Sequence, residues 1–360
     1  MKVLHIINSL AFGGAEKLIV DSLPFYMEGV EAVELLVLKK VDKEFPINMN
    51  VKINYINSNS FYNPLIVFKL IPYLKKFDIV HLHLFPTLYW GVMAKSLLFR
   101  KGPKLVFTEH NTDNRRRSKF IFKIVDRLIY NKLDFIGCIS QGTKNNLVKH
   151  LNTKTKNIKV INNGIILDDF QADKRIKSYN FFDENNFIII QVSSFREQKD
   201  QATLIRAIKF LPDNIKLLLV GEGHLKVENQ NLVKELSLEE RIKFLGIRKD
   251  IPDLLNYADV CVLSSNYEGF GLAILEGMAS KRPSIASNVE GVSEIVKNYG
   301  LVFERGNERE LATHINKLYS DNEFYNRIAQ QCYERSKQFD IRKMVASYIG
   351  EYKNLLKNAN

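Results

Sequence analysis

Short apolar runs rich in β-branched residues alternate with longer stretches of helical periodicity along the whole chain. In the first half the runs Val3–Ile7, Val33–Leu38, Val51–Ile56, Ile79–Leu82, Leu105–Thr108, Phe135–Ile139 and Lys159–Ile161 predict strands. Between them Ala15–Met27, Pro64–Lys75 and Phe120–Tyr130 space their apolar residues as helices do. The second half repeats the style, with strands predicted at Phe187–Val192, Lys216–Val220, Lys243–Leu245, Val260–Leu263 and Ser284–Ala286. Strands alternating with helices imply an α/β protein whose parallel sheets are covered by helices. In such sheets ligands bind beyond the carboxyl ends of the strands, so the residues that follow each run are where chemistry is expected.

A length of 360 residues predicts two domains. The boundary is placed by a polar connector over Ile165–Lys177, which holds Asp168, Asp169 and the basic Lys174–Lys177. This gives a first domain over 1–165, a second over 166–340, and an amphipathic helix over Ile341–Leu356 within a last segment, 341–360. The three cysteines, Cys138, Cys261 and Cys332, are far apart and odd in number. They predict reduced thiols in a cytoplasmic protein, without a disulfide frame or zinc spacing. No apolar run approaches the ~20 residues of a membrane span. His5, Asn8 and Ser9 interrupt the apolar N-terminal run, which therefore reads as a first strand and its loop rather than a signal peptide. The net charge of +12 is uneven: residues 1–170 hold 25 Lys and Arg against 14 Asp and Glu, and residues 171–360 hold 27 against 26. The asymmetry predicts an anionic partner for the first half.

The densest chemistry lies in Ser264–Glu294. Glu268 and Glu276 stand eight positions apart, with Gly269-Phe270-Gly271 after the first and a helical apolar run between them. A strand, a tight glycine loop and a helix start follow from this pattern. Glycine lets the backbone approach a ligand closely, and the N–H groups of a helix start favour an anion such as a phosphate. Carboxylates accept hydrogen bonds from sugar and ribose hydroxyls. A ligand anionic at one end and hydroxyl-rich around it, such as a nucleotide sugar, fits both features. The stretch resembles the signature of the retaining glycosyltransferases of family 4: a Glu, seven residues, and a second Glu. Ala258-Asp259-Val260, Gly277-Met278-Ala279, Pro283, Gly291 and Glu294 match its surroundings.

The resemblance implies a GT-B fold, with two doubly wound Rossmann-like domains facing across a cleft and the last helix crossing back to the first domain. It implies that Glu268 contacts the donor sugar and Glu276 the ribose, and that the backbone N–H groups of Phe270, Gly271 and Leu272 face the diphosphate. Gly13 and Gly14, after the first strand, correspond to the glycine loop near the diphosphate and the acceptor. His83, second in His81-Leu-His83, corresponds to the histidine beside the transferred sugar, and His110 to a histidine after the next strand. Alternation puts His81 and His83 on one face, with His83 nearer the strand end. Lys199 corresponds to the family's phosphate-binding lysine. Aligning it leaves Ser194 where the family has an arginine, and Arg196 two residues later; whether Arg196 compensates is open in the sequence. Val220-Gly-Glu222-Gly223 and Leu245-Gly-Ile-Arg248 resemble the turns after the next two strands, and Arg248 corresponds to a neighbour of the base. Asn162-Asn163-Gly164 resembles the family's Asn-Gly before the link. Arg115–Arg117, with Lys119 and Lys123 beyond, fits both a solvated helix start and a contact to a lipid or pyrophosphate-bearing acceptor.

The expectation is a retaining glycosyltransferase that moves a sugar from a nucleotide diphosphate sugar, a UDP-sugar before others, to an acceptor hydroxyl on a glycan or lipid-linked intermediate of a surface polysaccharide. No cofactor and no metal are expected, since no Asp-x-Asp site stands where one is needed. The expected catalytic residues are His83, Glu268, Lys199 and Arg196. The expected location is cytoplasmic, with peripheral association at the inner face of an anionic membrane. A nucleotide-sugar epimerase shares the fold but not the signature. A non-catalytic sugar-binding subunit is the rival raised by Ser194. A nucleic-acid-binding protein is suggested by pI ≈ 9.3 but lacks groove-reading and base-stacking motifs, so no nucleic-acid partner is expected.

Overall fold

The computed structural model describes residues 1–42, 44–46, 50–98, 102–110, 117, 119–153, 157–170 and 179–358. The chain divides into two compact units, Met1–Gly164 with Ile341–Asn360, and Ile165–Asp340. Lys174–Lys177 of the expected connector lie outside the described residues.

In the first unit the elements run β1 (Lys2–Ile7), α1 (Gly14–Gly29), β2 (Ala32–Val37), β3 (Lys52–Tyr55), α2 (Ile66–Leu74), β4 (Ile79–His83), α3 (Thr87–Ser96), β5 (Lys104–Glu109), α4 (Phe120–Tyr130), β6 (Phe135–Cys138), α5 (Gln141–Leu151) and β7 (Ile158–Val160). The seven strands are parallel in the order β3-β2-β1-β4-β5-β6-β7. Strand order reverses between β1 and β4, where His5 pairs with His81. Strands buried on both sides read as continuous apolar runs, and Leu4, Ile6, Val80, Leu82, Leu105 and Phe107 meet the helices of one face in a single core.

The second unit runs β8 (Phe187–Val192), α6 (Gln201–Ile208), β9 (Ile215–Val220), α7 (Lys226–Glu235), β10 (Ile242–Gly246), α8 (Ile251–Tyr257), β11 (Val260–Leu263), α9 (Leu272–Ala279), β12 (Ser284–Ser287), α10 (Ser293–Val296), β13 (Leu301–Phe303), α11 (Glu308–Ser320) and α12 (Asn322–Ser336). Its six parallel strands are ordered β10-β9-β8-β11-β12-β13, with the reversal between β8 and β11. β13 has three residues, too few to show a period, and no strand is expected there from the sequence.

The last helix, α13 (Ile341–Lys357), belongs to the first unit. It buries Ile341, Met344, Val345, Tyr348, Ile349 and Tyr352, spaced at three and four residues, and packs beside α1. At about 1.5–3 kcal/mol for each large apolar side chain buried, this stripe fixes the helix to its sheet.

Candidate functional site

At the β1/β4 reversal the first unit gathers four imidazoles. His5 Nδ1 lies 3.0 Å from His83 Nε2, and His83 Nδ1 lies 3.3 Å from His110 Nε2. His81 turns to other partners, with Nδ1 2.6 Å from Tyr352 OH and Nε2 2.7 Å from Thr108 Oγ1. Thr108 in turn lies 2.8 Å from Tyr348 OH. Tyr348 reaches the sheet because β6 carries Gly137, where a Cβ would stand 2.4 Å from the Tyr348 hydroxyl. His81 is thus fixed to the α13 tyrosines, whereas His83 is held between two imidazoles.

Burial lowers the His5 pKa to about 3 and that of His110 to about 4. His81 and His83 are pushed well below the usual value by burial first, and then by the neighbouring imidazoles. All four are neutral at neutral pH, and each neutral ring donates from one nitrogen and accepts at the other. His5 Nε2 is buried without a partner. A bare lone pair there costs less than an unpaired N–H, so His5 donates to His83, His83 donates to His110, and His110 keeps its Nδ1–H. The ligand atoms of His5, His81 and His83 also lie within 4.8 Å of one another. Those of His81 and His83 are already engaged in this network, which leaves His5 Nε2 as the nitrogen without a partner.

Gly13 is the N-cap of α1, in extended conformation, and no side chain caps that end. Gly14 is the first helical residue. A Cβ on Gly13 would meet the Glu16 carboxylate at 2.3 Å.

In the second unit the loops after β8 and β11 are joined by a polar web. Ser264 Oγ lies 3.0 Å from Gln191 Oε1 and 2.7 Å from Asp200 O. Gln191 Nε2 donates to Lys199 O at 3.1 Å. Asn266 Nδ2 donates to Glu197 O at 2.7 Å, and Gln198 Nε2 to Tyr267 O at 3.1 Å. These bonds bring Lys199 Nζ to 2.5 Å from Glu268 Oε2, which also accepts from Ser265 Oγ at 3.2 Å. Gly291 closes the far side of the loop. It has φ +89°, and a Cβ there would lie 2.4 Å from Glu268 O.

Gly271, with φ +93°, is the N-cap of α9 and supplies no side chain to it. The N–H groups of Ile274 and Leu275 donate back to the Gly271 carbonyl at 3.2 Å, so among the described residues those of Leu272 and Ala273 are the ones left open to an anion. Phe270 is buried edge-on against Phe339. Glu276 is buried on α9, whose Gly277 packs on Cys261 of β11.

Arg196 is exposed, and its guanidinium has no partner among the described residues. Ser194 accepts through its carbonyl from Gln201 Nε2 and from the Arg196 N–H. The adjoining backbone is tightly packed, since Cβ atoms on Gly221 and Gly223 would lie 2.2 and 2.3 Å from the carbonyls of Ser193 and Phe195. Arg248 is paired with Asp250 at 2.8 and 2.5 Å and lies over the Tyr179 ring.

Within the basic run, Lys119 and Lys123 are exposed, as a surface contact requires, and Arg117 departs from that expectation. Arg117 is buried, with its guanidinium 2.6 Å from Glu109, which also accepts from Tyr130 OH at 2.5 Å. Burying an arginine requires such a partner, so Arg117 serves the interior. Arg115 and Arg116 lie outside the described residues. Sequence reasoning missed His5, Gln191 and Ser264. A histidine or glutamine inside an otherwise apolar strand was the available signal, because a buried polar group must be satisfied by a neighbour.

Residues 36–169 match the family model described as Glycosyltransferase Family 4, and residues 172–335 the one described as Glycosyl transferases group 1. The N-acetylgalactosamine-N,N'-diacetylbacillosaminyl-diphospho-undecaprenol 4-alpha-N-acetylgalactosaminyltransferase of Campylobacter jejuni is 27% identical, over 94% of this chain and 95% of that protein. The UDP-Gal:alpha-D-GlcNAc-diphosphoundecaprenol alpha-1,3-galactosyltransferase of Escherichia coli is 29% identical, over 72% of this chain and 70% of that protein. Among solved structures, Anabaena HepE in complex with UDP and glucose aligns with a TM-score of 0.84 at 21% identity, over 98% of this chain and all of that one. With its two parallel Rossmann-like sheets, the chain has the GT-B fold.

Proposed function

From the premise that the chain is a GT-B glycosyltransferase of the group 1 and family 4-like kind, we propose that it is a retaining, metal-independent hexosyltransferase. It takes a UDP-sugar as donor and a lipid-linked diphosphate glycan as acceptor. The observation that carries the reading is the Lys199–Glu268 pair standing before the uncapped α9 at the β8/β11 reversal. The names of the Campylobacter and Escherichia relatives support a polyprenyl diphosphate acceptor, and the HepE complex supports UDP.

In this reading the diphosphate binds Lys199, the exposed Arg196 and the open N–H groups at the start of α9. These groups stabilise the charge that grows on the leaving oxygen as its bond to sugar C1 breaks. Lys199 is neutralised by Glu268 before the donor arrives, so donor binding transfers the ammonium to phosphate and frees Glu268 for the sugar. Glu276 accepts from the ribose, and Arg248 lies by the base. Gly13 and Gly14 let the ligands approach the start of α1. His83, ordered by His5 and His110, orients the sugar. The acceptor oxygen bonds to C1 on the face the diphosphate leaves, so the anomeric configuration is kept, and its proton passes to the departing diphosphate oxygen. The reaction takes place on the cytoplasmic side, where nucleotide sugars are made.

Incubation with a panel of UDP-sugars and a polyprenyl diphosphate glycan tests the reading. Released UDP, product mass and product anomeric configuration are measured. An inverted product would overturn retention. Tight donor binding without any turnover would favour the non-catalytic subunit raised by Ser194.

A further inference from the structure

The helix α4 buries polar groups beside apolar ones on its inward face: Tyr130 joins the core with Ile129 packed against it, Asp126 is fully buried, 2.5 Å from Tyr89 OH and 2.9 Å from His150 Nε2, and Tyr130 donates to Glu109. Its outward face is apolar. Phe120, Ile121, Ile124 and Leu128 are 76%, 65%, 50% and 64% exposed. Phe120, Ile124 and Leu128 repeat every four residues with Ile121 beside them, so they form one stripe along a helix about 16 Å long. Core packing accounts for the first face and leaves the second without a partner among the described residues. A contiguous exposed apolar stripe of this kind marks an interaction surface.

The charges around the stripe indicate what covers it. Lys119, Lys123, Arg127 and Lys132 are all exposed, and no exposed Asp or Glu lies among the described residues from Arg117 to Leu133. A second copy of the chain docking face to face would set these cations against one another, which is unfavourable. An anionic bilayer satisfies both features, since apolar side chains enter the acyl boundary while flanking lysines and arginines meet lipid phosphates. Met93 of α3 with Leu97 just after it, and Phe68 of α2 with Leu65 just before it, are exposed apolar residues of the neighbouring helices. No helix among the described residues is long and apolar enough to cross a membrane.

We infer that the outward face of α4 docks the protein on an anionic lipid surface, inserting Phe120, Ile121, Ile124 and Leu128 with Lys119, Lys123, Arg127 and Lys132 at the phosphate level. This surface is independent of the acceptor's identity and of the donor residues of the second unit.

Co-sedimentation with vesicles of phosphatidylcholine alone, and with a third of it replaced by phosphatidylglycerol, tests the inference. The wild-type protein is expected to pellet with the anionic vesicles and not with the neutral ones, and high salt should release only part of it. The triple variant Phe120→Ser/Ile124→Ser/Leu128→Ser should partition at least tenfold more weakly. It should keep its thermal midpoint and its stabilisation by UDP, which separates a failed membrane surface from a failed donor site. Lys123→Ser/Arg127→Ser/Lys132→Ser should also lose anionic binding. Phe120→Trp should shift its emission to the blue on anionic vesicles. Wild-type partitioning of the apolar triple variant would overturn the inference. So would a lipid-free dimer in sedimentation velocity that the same variant abolishes, since the face would then be a self-association surface.

Discussion

The two units share a doubly wound plan and place their candidate residues at the same topological point, yet they fill it with opposite chemistry. At the β1/β4 reversal stand four imidazoles held neutral by burial and bonded to one another and to hydroxyls. At the β8/β11 reversal stand a lysine–glutamate pair and a helix start without a cap. A neutral, pre-ordered hydrogen-bonding surface suits uncharged hydroxyls, and an ammonium beside open N–H groups suits an anion. The fold supplies two equivalent positions, and the side chains decide what each receives.

The sharpest way to break this contrast is to remove the cation of the second unit. Lys199→Ala should lower turnover about a hundredfold or more, the scale seen when one charge-stabilising donor is lost. Arg196→Ala should lower it about tenfold, or about 1.4 kcal/mol in the barrier. If Arg196→Ala turns over as wild type, the exposed guanidinium takes no part and Ser194 stands uncompensated.

The two glutamates should separate next. Glu276→Ala is expected to weaken donor binding, read as a raised KM and a smaller thermal shift with UDP. Glu268→Gln should lower kcat more than donor affinity, because its charge acts mostly in the transition state. Equal effects of both substitutions on KM alone would merge their roles.

Acid should act on the imidazole side of the comparison. The folded state holds His5 and His110 near about 3 and about 4, whereas an unfolded histidine titrates near 6.5. Between these values the unfolded chain binds more protons, so stability is present above about pH 6.5 and is lost as the pH falls toward about 4. Each kcal/mol lost lowers the unfolding midpoint by about 2–4 °C in a unit of this size. Calorimetry from pH 7.5 to 4.5, with hydrogen exchange to locate the loss in β1, β4 and α13, checks this. A flat midpoint across that range would remove the neutral network.

The smallest effect expected is that of excess EDTA, which should leave turnover unchanged if Lys199 and the α9 N–H groups meet the phosphate charge. A strict requirement for Mg²⁺ or Mn²⁺ would place a cation where the ammonium is proposed.

Much of this was written locally. The alternation of apolar runs and helical stretches set the strands and their order along the chain, because each element carries its own period. The two glutamates, the glycines between them and Lys199 were legible for the same reason: a strand end, a loop and a helix start are contiguous in sequence. What tertiary structure alone decided is long-range. Through α13, Tyr352 reaches His81 from 271 residues away and Tyr348 reaches Thr108 from 240 residues away, and no local pattern names those partners. Lys199 and Glu268 lie 69 residues apart and meet because β8 and β11 are neighbours in the sheet. The run Arg115–Arg117 reads as surface in sequence, yet Arg117 turns inward because Glu109 and Tyr130 leave a buried carboxylate to be paired. The Phe120–Tyr130 period is evident in the residues themselves, but which of its faces points outward depends on Asp126 finding Tyr89 and His150. Local sequence sets the period of an element. Its orientation is set by the contacts that satisfy its buried polar groups, and these come from elsewhere in the chain.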